Sequence, residues 1–389
     1  MSERFELLVV GGGPAGLSAA RSYRDAYGRG PVGIVTDEQR MPYQRPPLTK
    51  DLLRGDCTEE DLPLESEEWL QERRVALIGG RAVALDPDAH TVVLSGGREL
   101  EYRQCVLATG AEPIRLPVPG ADDPGVRVLR TLDHLRELQA RLRAGAPVVV
   151  IGSGFIGCEI AASLRMRGHR VDLVSDESAP NVARLGEQAA AELSRWLQEQ
   201  DVSPHFDAPV ERIERADRGL TVFAGEVRAT GDVVVMASGV APRTELATTA
   251  GIKLADGAIP VSASMRSVQP EVLAAGDVCR AHNVEAGRPL RVEHWGDALR
   301  QGEIAGRAAA GEDIVWEDVP GFWSTIGART LKYAAWGDGH DQTRFERHSN
   351  GGFTAWYGRA GAIVGVLTHE ADDDYERGSE LIAEGAPWS

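Results

Sequence analysis

The segment FELLVVGGGPAGLSAA, residues Phe5–Ala20, decides the fold. An apolar, strand-like run leads directly into Gly11-x-Gly13-x-x-Gly16, where a helix of small residues is predicted to begin. Glycines at this spacing permit a tight turn and let the backbone approach a pyrophosphate, whose charge the helix N-terminus stabilises. The segment therefore predicts one half of a dinucleotide-binding unit.

The residues after this segment supply the other half. The apolar run Val32–Thr36 predicts a second strand, and Asp37 follows it with Glu38 beside it. An acid about 20 residues beyond the last glycine accepts a hydrogen bond from a ribose hydroxyl. A lone glycine motif is often only a turn, but strand, helix, second strand and acid together predict a dinucleotide site.

A second copy of the pattern lies in APVVVIGSGFIGCEIAA, residues Ala146–Ala162. It contains Gly152-x-Gly154-x-x-Gly157 and precedes a strand predicted at Val171–Val174. Two copies about 140 residues apart predict two nucleotide domains rather than a solenoid, because neither copy recurs a third time. Two nucleotides in one chain favour a flavin in one site and a nicotinamide in the other, with hydride transfer between them.

The residues after Val171–Val174 bear on the choice of nicotinamide nucleotide. Asp176 and Glu177 would repel a 2′-phosphate, which favours NADH over NADPH. The usual position of the acid is held by Ser175, one residue earlier, so NADPH stays open as the less favoured nucleotide.

Apolar runs separated by helical segments recur along most of the chain, which is typical of α/β proteins with parallel sheets. The predicted strands are Phe5–Val10, Val32–Thr36, Gln104–Thr109, Val148–Ile151, Val171–Val174, Val233–Ala237 and Val272–Ala275. After about Glu317 the pattern changes, and an acidic helical tail ends the chain. A small antiparallel sheet is predicted there from Thr330–Ala335, Gly352–Tyr357 and Ala362–Thr368.

Composition excludes several classes of function. The 389 residues carry a net charge of −17, which argues against nucleic-acid binding because phosphates require clustered Lys and Arg. No apolar run approaches the ~18 residues that predict a membrane span. The first residues lack the features of a signal peptide, so we expect a cytoplasmic protein. The four cysteines, Cys57, Cys105, Cys158 and Cys279, show no C-x-x-C pair and no metal-ligand spacing, so no metal site is predicted.

Four further motifs occur in order around the two glycine fingerprints. They are PYQRPPLTK at Pro42–Lys50, ATG at Ala108–Gly110, AAGD at Ala274–Asp277 and FWS at Phe322–Ser324. Together with the fingerprints they resemble the FAD-dependent ferredoxin reductases of oxygenase systems. That group includes putidaredoxin reductase, the aromatic-ring dioxygenase reductases and the apoptosis-inducing factor flavoproteins. The resemblance covers nearly the whole chain.

The resemblance implies two Rossmann-like nucleotide-binding domains and a small C-terminal α/β domain. The FAD-binding domain would comprise residues 1–115 and 246–316, the NAD-binding domain 116–245 and the C-terminal domain 317–389. FAD would occupy the first fingerprint and NADH the second, and a small iron–sulfur protein of the ferredoxin or rubredoxin type would accept the electrons. We expect a monomer or a homodimer.

The missing cysteines separate this chain from related flavoenzymes. Enzymes resembling glutathione reductase pass electrons to a cysteine pair on the first long helix of the FAD domain. Coenzyme A-disulfide reductases and NADH peroxidases use one cysteine near the segment that is Pro42–Gln44 here. Neither arrangement is present, so electrons are expected to leave directly from the flavin.

The resemblance also implies individual roles. Lys50 would lie beside the flavin N5, and Glu159 would reach the nicotinamide and pair with Lys50; these are the two predicted catalytic residues. Arg45 would neutralise phosphate, Val83 would hold adenine and Trp295 would line the pyrimidine edge of the flavin. The predicted cofactor-binding residues are Gly11, Gly13, Pro14, Ala15, Gly16, Asp37, Glu38, Arg45, Lys50, Val83, Ala108, Thr109, Gly110, Arg130, Gly276, Asp277, Glu293, His294, Trp295 and Trp323, together with Gly152, Gly154, Phe155, Ile156, Gly157, Glu159, Asp176, Glu177 and Gly239.

Some of these residues also have simpler interpretations. Lys50 could be an ordinary surface lysine, and Glu159 in the first turn of a helix could only complement the helix dipole. Trp323 could pack in the C-terminal sheet. The acidic run Asp372–Asp374 is interpreted as a solvated face.

The sequence departs from the family pattern at two further places, and the first of them leaves the electron acceptor open. Ser324 is followed by Thr325 where the family usually has Asp, and Arg243 stands where Asn is usual. The first departure lies near the flavin and the partner surface in relatives. The alternatives are a redox-sensing interaction protein like apoptosis-inducing factor, and an enzyme of the NADH:quinone or NADH oxidase type.

Overall fold

The computed structural model describes residues 3–388 as an α/β protein. Its strands, in chain order, are β1 Glu3–Val10, β2 Val32–Thr36, β3 Val75–Gly79, β4 Ala82–Asp86, β5 Thr91–Leu94, β6 Glu99–Leu107, β7 Ala111–Pro113, β8 Val126–Arg127, β9 Val148–Ile151, β10 Val171–Val174, β11 Ser203–His205, β12 Arg212–Arg215, β13 Leu220–Ala224, β14 Val227–Gly231, β15 Val233–Met236, β16 Val240–Pro242, β17 Ile259–Val261, β18 Val272–Ala274, β19 Cys279–Asn283, β20 Arg288–Leu290, β21 Gly321–Ile326, β22 Arg329–Ala335, β23 Gln342–Arg347, β24 Phe353–Arg359 and β25 Ala362–His369.

Helices alternate with the strands over most of the chain. They are α1 Pro14–Asp25, α2 Asp51–Arg54, α3 Glu67–Glu72, α4 Leu132–Gln139, α5 Phe155–Met166, α6 Val182–Glu199, α7 Glu245–Thr249, α8 Trp295–Ala309 and α9 Asp372–Ala383, with short 3₁₀ turns at Pro46–Thr49 and Glu59–Asp61. No helix within residues 3–388 combines the length and the apolarity that a bilayer crossing needs.

The chain divides into two compact units. The first comprises the residues up to Gln44 together with Pro63–Glu112 and Ala241–Phe322. The second comprises Arg45–Leu62, Pro113–Val240 and the residues from Trp323 onward. The family resemblance implies a separate C-terminal domain, whereas these two units group the C-terminal sheet with the second fingerprint. The division into three domains therefore stays a prediction.

The main sheet of the first unit is built around β1. Strands β2 and β6 pair with β1 in parallel on its two sides, β3 extends the sheet beyond β2, and β18 pairs in parallel with β6. Helix α1 packs closely on α8 because glycines allow it. A Cβ atom at Gly302 would lie 2.3 Å from the Ala15 carbonyl oxygen, and one at Gly306 would lie 2.1 Å from that of Ala19.

The second unit contains a parallel sheet in the order β11-β10-β9-β15-β8, with the three-stranded antiparallel sheet β12-β13-β14. Its C-terminal sheet has the order β21-β22-β25-β24-β23. The ring of Trp196 on α6 packs against His369 and Phe353 of that sheet, at centroid distances of 4.7 and 6.0 Å. The phenol of Tyr357 donates to the Leu185 carbonyl at 2.9 Å.

The predicted parallel strands and the C-terminal antiparallel sheet with its helical tail are confirmed. Strand β6 ends at Leu107, two residues before the predicted end, because the chain turns through Ala108–Gly110. Several strands were not predicted, among them the edge strands β21 and β23 of the C-terminal sheet and the antiparallel strands β12, β13 and β14. In β12, β13 and β14, polar and apolar residues are mixed, and each strand has only a short hydrophobic run.

Candidate functional site

The first fingerprint forms a tight turn between β1 and α1. Gly11 has a φ of +125°, which only glycine adopts freely, and its N–H donates to the Val35 carbonyl at 2.8 Å. A Cβ atom at Gly11 would lie 2.0 Å from the Ala108 carbonyl oxygen, and one at Gly16 would lie 1.9 Å from that of Gly11. At Gly13 a Cβ atom would meet nothing within 4 Å. Protein packing thus explains the outer two glycines, whereas the middle one faces open space.

The second fingerprint repeats this arrangement between β9 and α5. Gly152 has a φ of +99°, and its N–H donates to the Val174 carbonyl at 2.8 Å. A Cβ atom at Gly152 would lie 2.4 Å from the Ala237 carbonyl oxygen, and one at Gly157 would lie 1.9 Å from that of Gly152. Gly154, like its counterpart in the first motif, has nothing within 4 Å.

Both helices that follow suit a pyrophosphate. Each is 12 residues long, begins after a glycine without a side-chain cap and has no acid in its first turn. The first backbone N–H groups of such a helix have no partner within it and point outward at the positive end of the dipole. With the open space at Gly13 and Gly154, two anionic dinucleotides fit these two cradles.

The end of β2 presents the predicted acids. The Asp37 side chain is half-exposed, and the Arg243 guanidinium approaches it at 3.9 Å. Glu38 accepts a hydrogen bond from the Tyr43 hydroxyl at 2.5 Å. The backbone of Arg243 is tied to the ATG motif, since its N–H donates to the Gly110 carbonyl and its carbonyl accepts from the Thr109 hydroxyl at 2.7 Å. Arg243 therefore keeps its backbone hydrogen bonds to the ATG motif, although its side chain differs from that of the family.

The AAGD motif lies against the start of α1. A Cβ atom at Gly276 would lie 3.1 Å from that of Ala15, and the Gly276 N–H donates to the Gln301 side chain at 2.9 Å. Asp277, next along the chain, is buried. The structure thus places Asp277 next to a glycine that contacts the start of α1.

The segment Glu293–Trp295 leads into α8. His294 is the N-cap residue, and its Nδ1 lies 3.1 Å from a carboxylate oxygen of Asp297. The imidazole also packs against the Phe322 ring, with centroids 4.5 Å apart. Burial raises the pKa of the Asp297 carboxyl, although the hydrogen bond from His294 opposes this shift.

The remaining predicted residues differ in exposure and in their partners. Val83 is on the edge strand β4 and is 47% exposed. Arg45 donates to the Arg130 carbonyl at 2.9 Å, so these two predicted residues do meet. Trp323 is 46% exposed. Gly239 accepts a hydrogen bond from the Ile114 N–H through its carbonyl.

The residues after β10 separate into buried and exposed groups. Ser175 is buried, its hydroxyl lies 2.7 Å from that of Ser153, and it accepts from the Glu177 N–H at 3.2 Å. Glu177 accepts from the Asn181 N–H at 3.0 Å. Asp176 is exposed. The Ser175 hydroxyl is therefore engaged within the protein, and the two carboxylates are the groups that remain accessible or partly accessible.

Lys50 and Glu159 meet in a buried ion pair. The Lys50 Nζ lies 2.6 Å from Glu159 Oε2, and their side chains are only 10% and 6% exposed. The Thr49 hydroxyl donates to the same oxygen at 2.6 Å, and the Ser324 hydroxyl donates to Glu159 Oε1 at 2.6 Å. Ser163 on α5 holds the Thr49 carbonyl at 2.8 Å. A surface position for Lys50 is thereby excluded.

No disulfide joins the cysteines within residues 3–388. All four cysteines are free, and Cys105, Cys158 and Cys279 are buried. Burial raises the pKa of the Cys279 thiol to about 12, and it raises the pKa of Cys158 well above its ordinary range. These buried thiols lie in the protein interior, where burial disfavours the reactive thiolate.

Sequence reasoning missed two of the three partners of Glu159, the hydroxyls of Thr49 and Ser324. Thr49 immediately precedes Lys50, and Ser324 ends the FWS motif, so both were within quoted motifs without a role. Nothing in the local pattern marks either hydroxyl as a carboxylate ligand. Gln301, which holds the Gly276 N–H, was missed for the same reason.

Comparison with known proteins adds to this geometry. A family model described as pyridine nucleotide-disulphide oxidoreductase matches residues 5–302. Rhodocoxin reductase of Rhodococcus erythropolis is 32% identical over 98% of this chain and 90% of its own length. The ferredoxin–NAD(+) reductase component of the anthranilate 1,2-dioxygenase system of Burkholderia cepacia is 32% identical over 97% of this chain and 94% of its own length.

Solved structures of ferredoxin reductases are also similar to this chain. A ferredoxin reductase for the CYP199A2 system from Rhodopseudomonas palustris matches with a TM-score of 0.93 at 29% identity, over 99% of this chain and 96% of that one. Putidaredoxin reductase in its covalent complex with putidaredoxin matches with a TM-score of 0.92 at 28% identity, over 99% and 94% of the two chains. The predicted α/β fold, the oxidoreductase class and the resemblance to ferredoxin reductases are confirmed. The chain belongs to the pyridine nucleotide-disulphide oxidoreductase family.

Proposed function

We propose that the protein is an FAD-dependent reductase that takes electrons from NADH and passes them to a small iron–sulfur protein serving an oxygenase or a cytochrome P450. The observation that carries the proposal is the pair of fingerprints, each with open space at its middle glycine. Two complete cradles in one chain call for two dinucleotides. When bound, the flavin would supply the step from two-electron to one-electron chemistry, taking a hydride from the nicotinamide and giving one electron to each of two acceptor molecules.

FAD is assigned to the first unit. The N-terminus of α1 would hold the pyrophosphate, and Asp37 at the end of β2 would accept from the adenosine ribose. Asp277 would bind a ribityl hydroxyl, since Gly276 lies against Ala15 at the start of α1. The burial of Asp277, next to Gly276 beside this cradle, supports the assignment.

NADH is assigned to the second unit. The N-terminus of α5 would hold its pyrophosphate, and Asp176 and Glu177 would face the adenosine ribose. Their charge would repel the 2′-phosphate of NADPH. The Ser175 hydroxyl already bonds to Ser153 and Glu177, which supports assigning the ribose to the two carboxylates and not to the serine.

Lys50 and Glu159 are assigned to the reacting ends of the cofactors. A cation beside the flavin N5 would stabilise negative charge on the reduced ring. The Glu159 carboxylate fixes the ammonium by a 2.6 Å contact, and burial keeps water from screening the pair. The two residues thus orient and stabilise charge, while the cofactors supply the redox chemistry.

The acceptor is proposed from the relatives. Rhodocoxin reductase and the anthranilate dioxygenase reductase component are named for such partners, and the putidaredoxin reductase structure contains one. The four cysteines are free and three of them are buried, which supports a route that does not pass through cysteine. A cytoplasmic location is part of the same proposal.

The test begins with the purified protein. It should be yellow, with one FAD per chain, and NADH should bleach the flavin. Steady-state oxidation of NADH should then be at least about tenfold faster with a [2Fe–2S] ferredoxin or a rubredoxin than with menadione or oxygen. An apoprotein that binds no flavin on titration would end the proposal. Turnover that depends on quinone or oxygen alone would favour the oxidase class instead.

A further inference from the structure

The Glu159 carboxylate is held at both of its oxygens. Oε2 contacts the Lys50 ammonium and the Thr49 hydroxyl, both at 2.6 Å. Oε1 accepts from the Ser324 hydroxyl, also at 2.6 Å. All four side chains are buried. Oε2 therefore contacts the ammonium, whereas the partner of Oε1 is one neutral hydroxyl.

Ser324 reaches this carboxylate from a distant part of the sequence. It lies 165 residues from Glu159 and belongs to β21, where side chains alternate between the two faces. Trp323 before it is exposed, whereas Ser324 is only 1% exposed. The strand thus directs this one hydroxyl inward to the ion pair.

A carboxylate held on one side only would be poorly oriented. The last torsion of a glutamate side chain is broad and roughly two-fold, so an ammonium on one oxygen leaves the plane of the carboxylate free to rotate. Hydrogen bonds to an ionised acceptor are about twice as strong as neutral ones, and inside a protein they are not screened by water. One hydroxyl on Oε1 is enough to restrict this rotation.

We propose that Ser324 is a positioning residue of the Lys50–Glu159 pair: its hydroxyl orients the Glu159 carboxylate and thereby fixes the ammonium. The inference rests on the proposed function, because the pair is taken to act in flavin reduction. Ser324 acts through Glu159 and has no separate role. Its removal should accordingly have no further effect once the carboxylate is gone.

The test is a double-mutant cycle on the flavin-loaded protein. Single-turnover flavin reduction by NADH is measured for wild type, Ser324→Ala, Glu159→Ala and the double variant, with the apparent NADH dissociation constant separated from the limiting rate. Ser324→Ala should lower the limiting rate about tenfold, as expected for one charge-assisted hydrogen bond, with little change in NADH affinity. In the Glu159→Ala background the same substitution should change the rate by less than about twofold.

The chain offers a matched control. Thr325 follows Ser324 on the same strand, and its hydroxyl bonds to that of Thr330 at 2.9 Å rather than to the pair. Thr325→Ala should leave the limiting rate near that of wild type. Ser324→Thr, which keeps the hydroxyl, should recover much of the rate. If Ser324→Ala does not fold with flavin, Ser324→Cys takes its place in the cycle.

The outcomes separate this inference from the proposed function. If Glu159→Ala slows reduction but Ser324→Ala behaves like Thr325→Ala, the inference is wrong and the proposed function stands. If the effect of Ser324→Ala persists in full without Glu159, the serine acts elsewhere and the inference is also wrong. If Glu159→Ala itself has no effect, the assignment of the pair fails, and the inference fails with it.

Discussion

The two glycine fingerprints have the same backbone and different surroundings. In both, the outer glycines are required by carbonyl oxygens that a Cβ atom would approach to 2.4 Å or less, and the middle glycine faces open space. Around the first, glycines of α8 let that helix pack tightly against α1. Around the second, α5 carries a buried carboxylate with three side-chain partners. The two glycine turns are therefore alike, and the side chains around them are what can distinguish one nucleotide site from the other.

The largest expected effect tests whether the cradles hold different nucleotides. Gly13→Glu places a charged side chain where the first pyrophosphate would lie, so the purified protein should contain no FAD. Gly154→Glu should keep one FAD per chain and lose NADH-dependent flavin reduction by about 100-fold or more. Flavin content and stopped-flow absorbance measure the two effects. Ser95→Glu, at an exposed turn, is the control for an added carboxylate. Two variants with the same defect would contradict the division of roles.

A second prediction concerns the buried pair, which distinguishes α5 from α1. Lys50→Met should lower the flavin midpoint potential and slow flavin reduction about 100-fold, because a preorganised charge is lost. Glu159→Ala should disturb nicotinamide placement. The effects should not add in the double variant, since paired groups couple. Redox titration and single-turnover kinetics measure both.

The control for this prediction is an exposed ion pair. Lys332→Met removes a lysine that pairs with Asp372 at 2.8 Å on the surface, and it should leave both measurements unchanged. If the effects at Lys50 and Glu159 are small or strictly additive, the pair is structural.

The third prediction sharpens the comparison of the acids after each second strand. Wild-type protein should be reduced by NADH at least about tenfold more efficiently than by NADPH, a discrimination of ~1.4 kcal/mol. Asp176→Ala combined with Glu177→Ala should bring the two nucleotides close to equality. Ser175→Ala should change the ratio little, because its hydroxyl already bonds to Ser153. Equal rates in wild type would show that Ser175 governs the site.

The smallest effect contrasts the buried carboxylates of the two units. Burial raises the pKa of Glu192, but hydrogen bonds from Arg195 and Arg347 outweigh it, so the net pKa is lowered. Its contribution to stability is therefore present above the ordinary glutamate pKa and is lost as the pH falls through the lowered value. Glu192→Gln should reduce the unfolding free energy at pH 7 by about 1–2 kcal/mol, and the difference should shrink in acid.

Asp297 in the first unit should behave in the opposite sense. Its pKa is raised by burial, so its contribution is present below the ordinary aspartate pKa and is lost as the pH rises through the raised value. The unfolding temperature of Asp297→Asn minus that of wild type should therefore increase as the pH rises. A parallel response of the Glu192 and Asp297 variants would contradict this contrast.

Much of the fold followed from local pattern. Both fingerprints, their strands and the C-terminal antiparallel sheet were predictable, because glycine spacing and apolar runs act within a few residues of one another. The meeting of Lys50 and Glu159 was expected only through the family resemblance, since nothing in either local sequence indicates it. The structure shows the pair buried and adds Thr49 and Ser324, which no pattern marks.

The sequence by itself determined that two helices begin after glycine turns and that acids follow the adjoining strands. It also showed that the four cysteines form no closely spaced pair. Tertiary structure alone decided that the middle glycines face open space, that Ser175 is engaged within the protein and that Ser324 reaches a carboxylate 165 residues away. The physical reason is the distance along the chain over which each interaction acts. Backbone preferences depend on neighbouring residues, whereas burial and hydrogen bonding between distant side chains depend on how the whole chain packs.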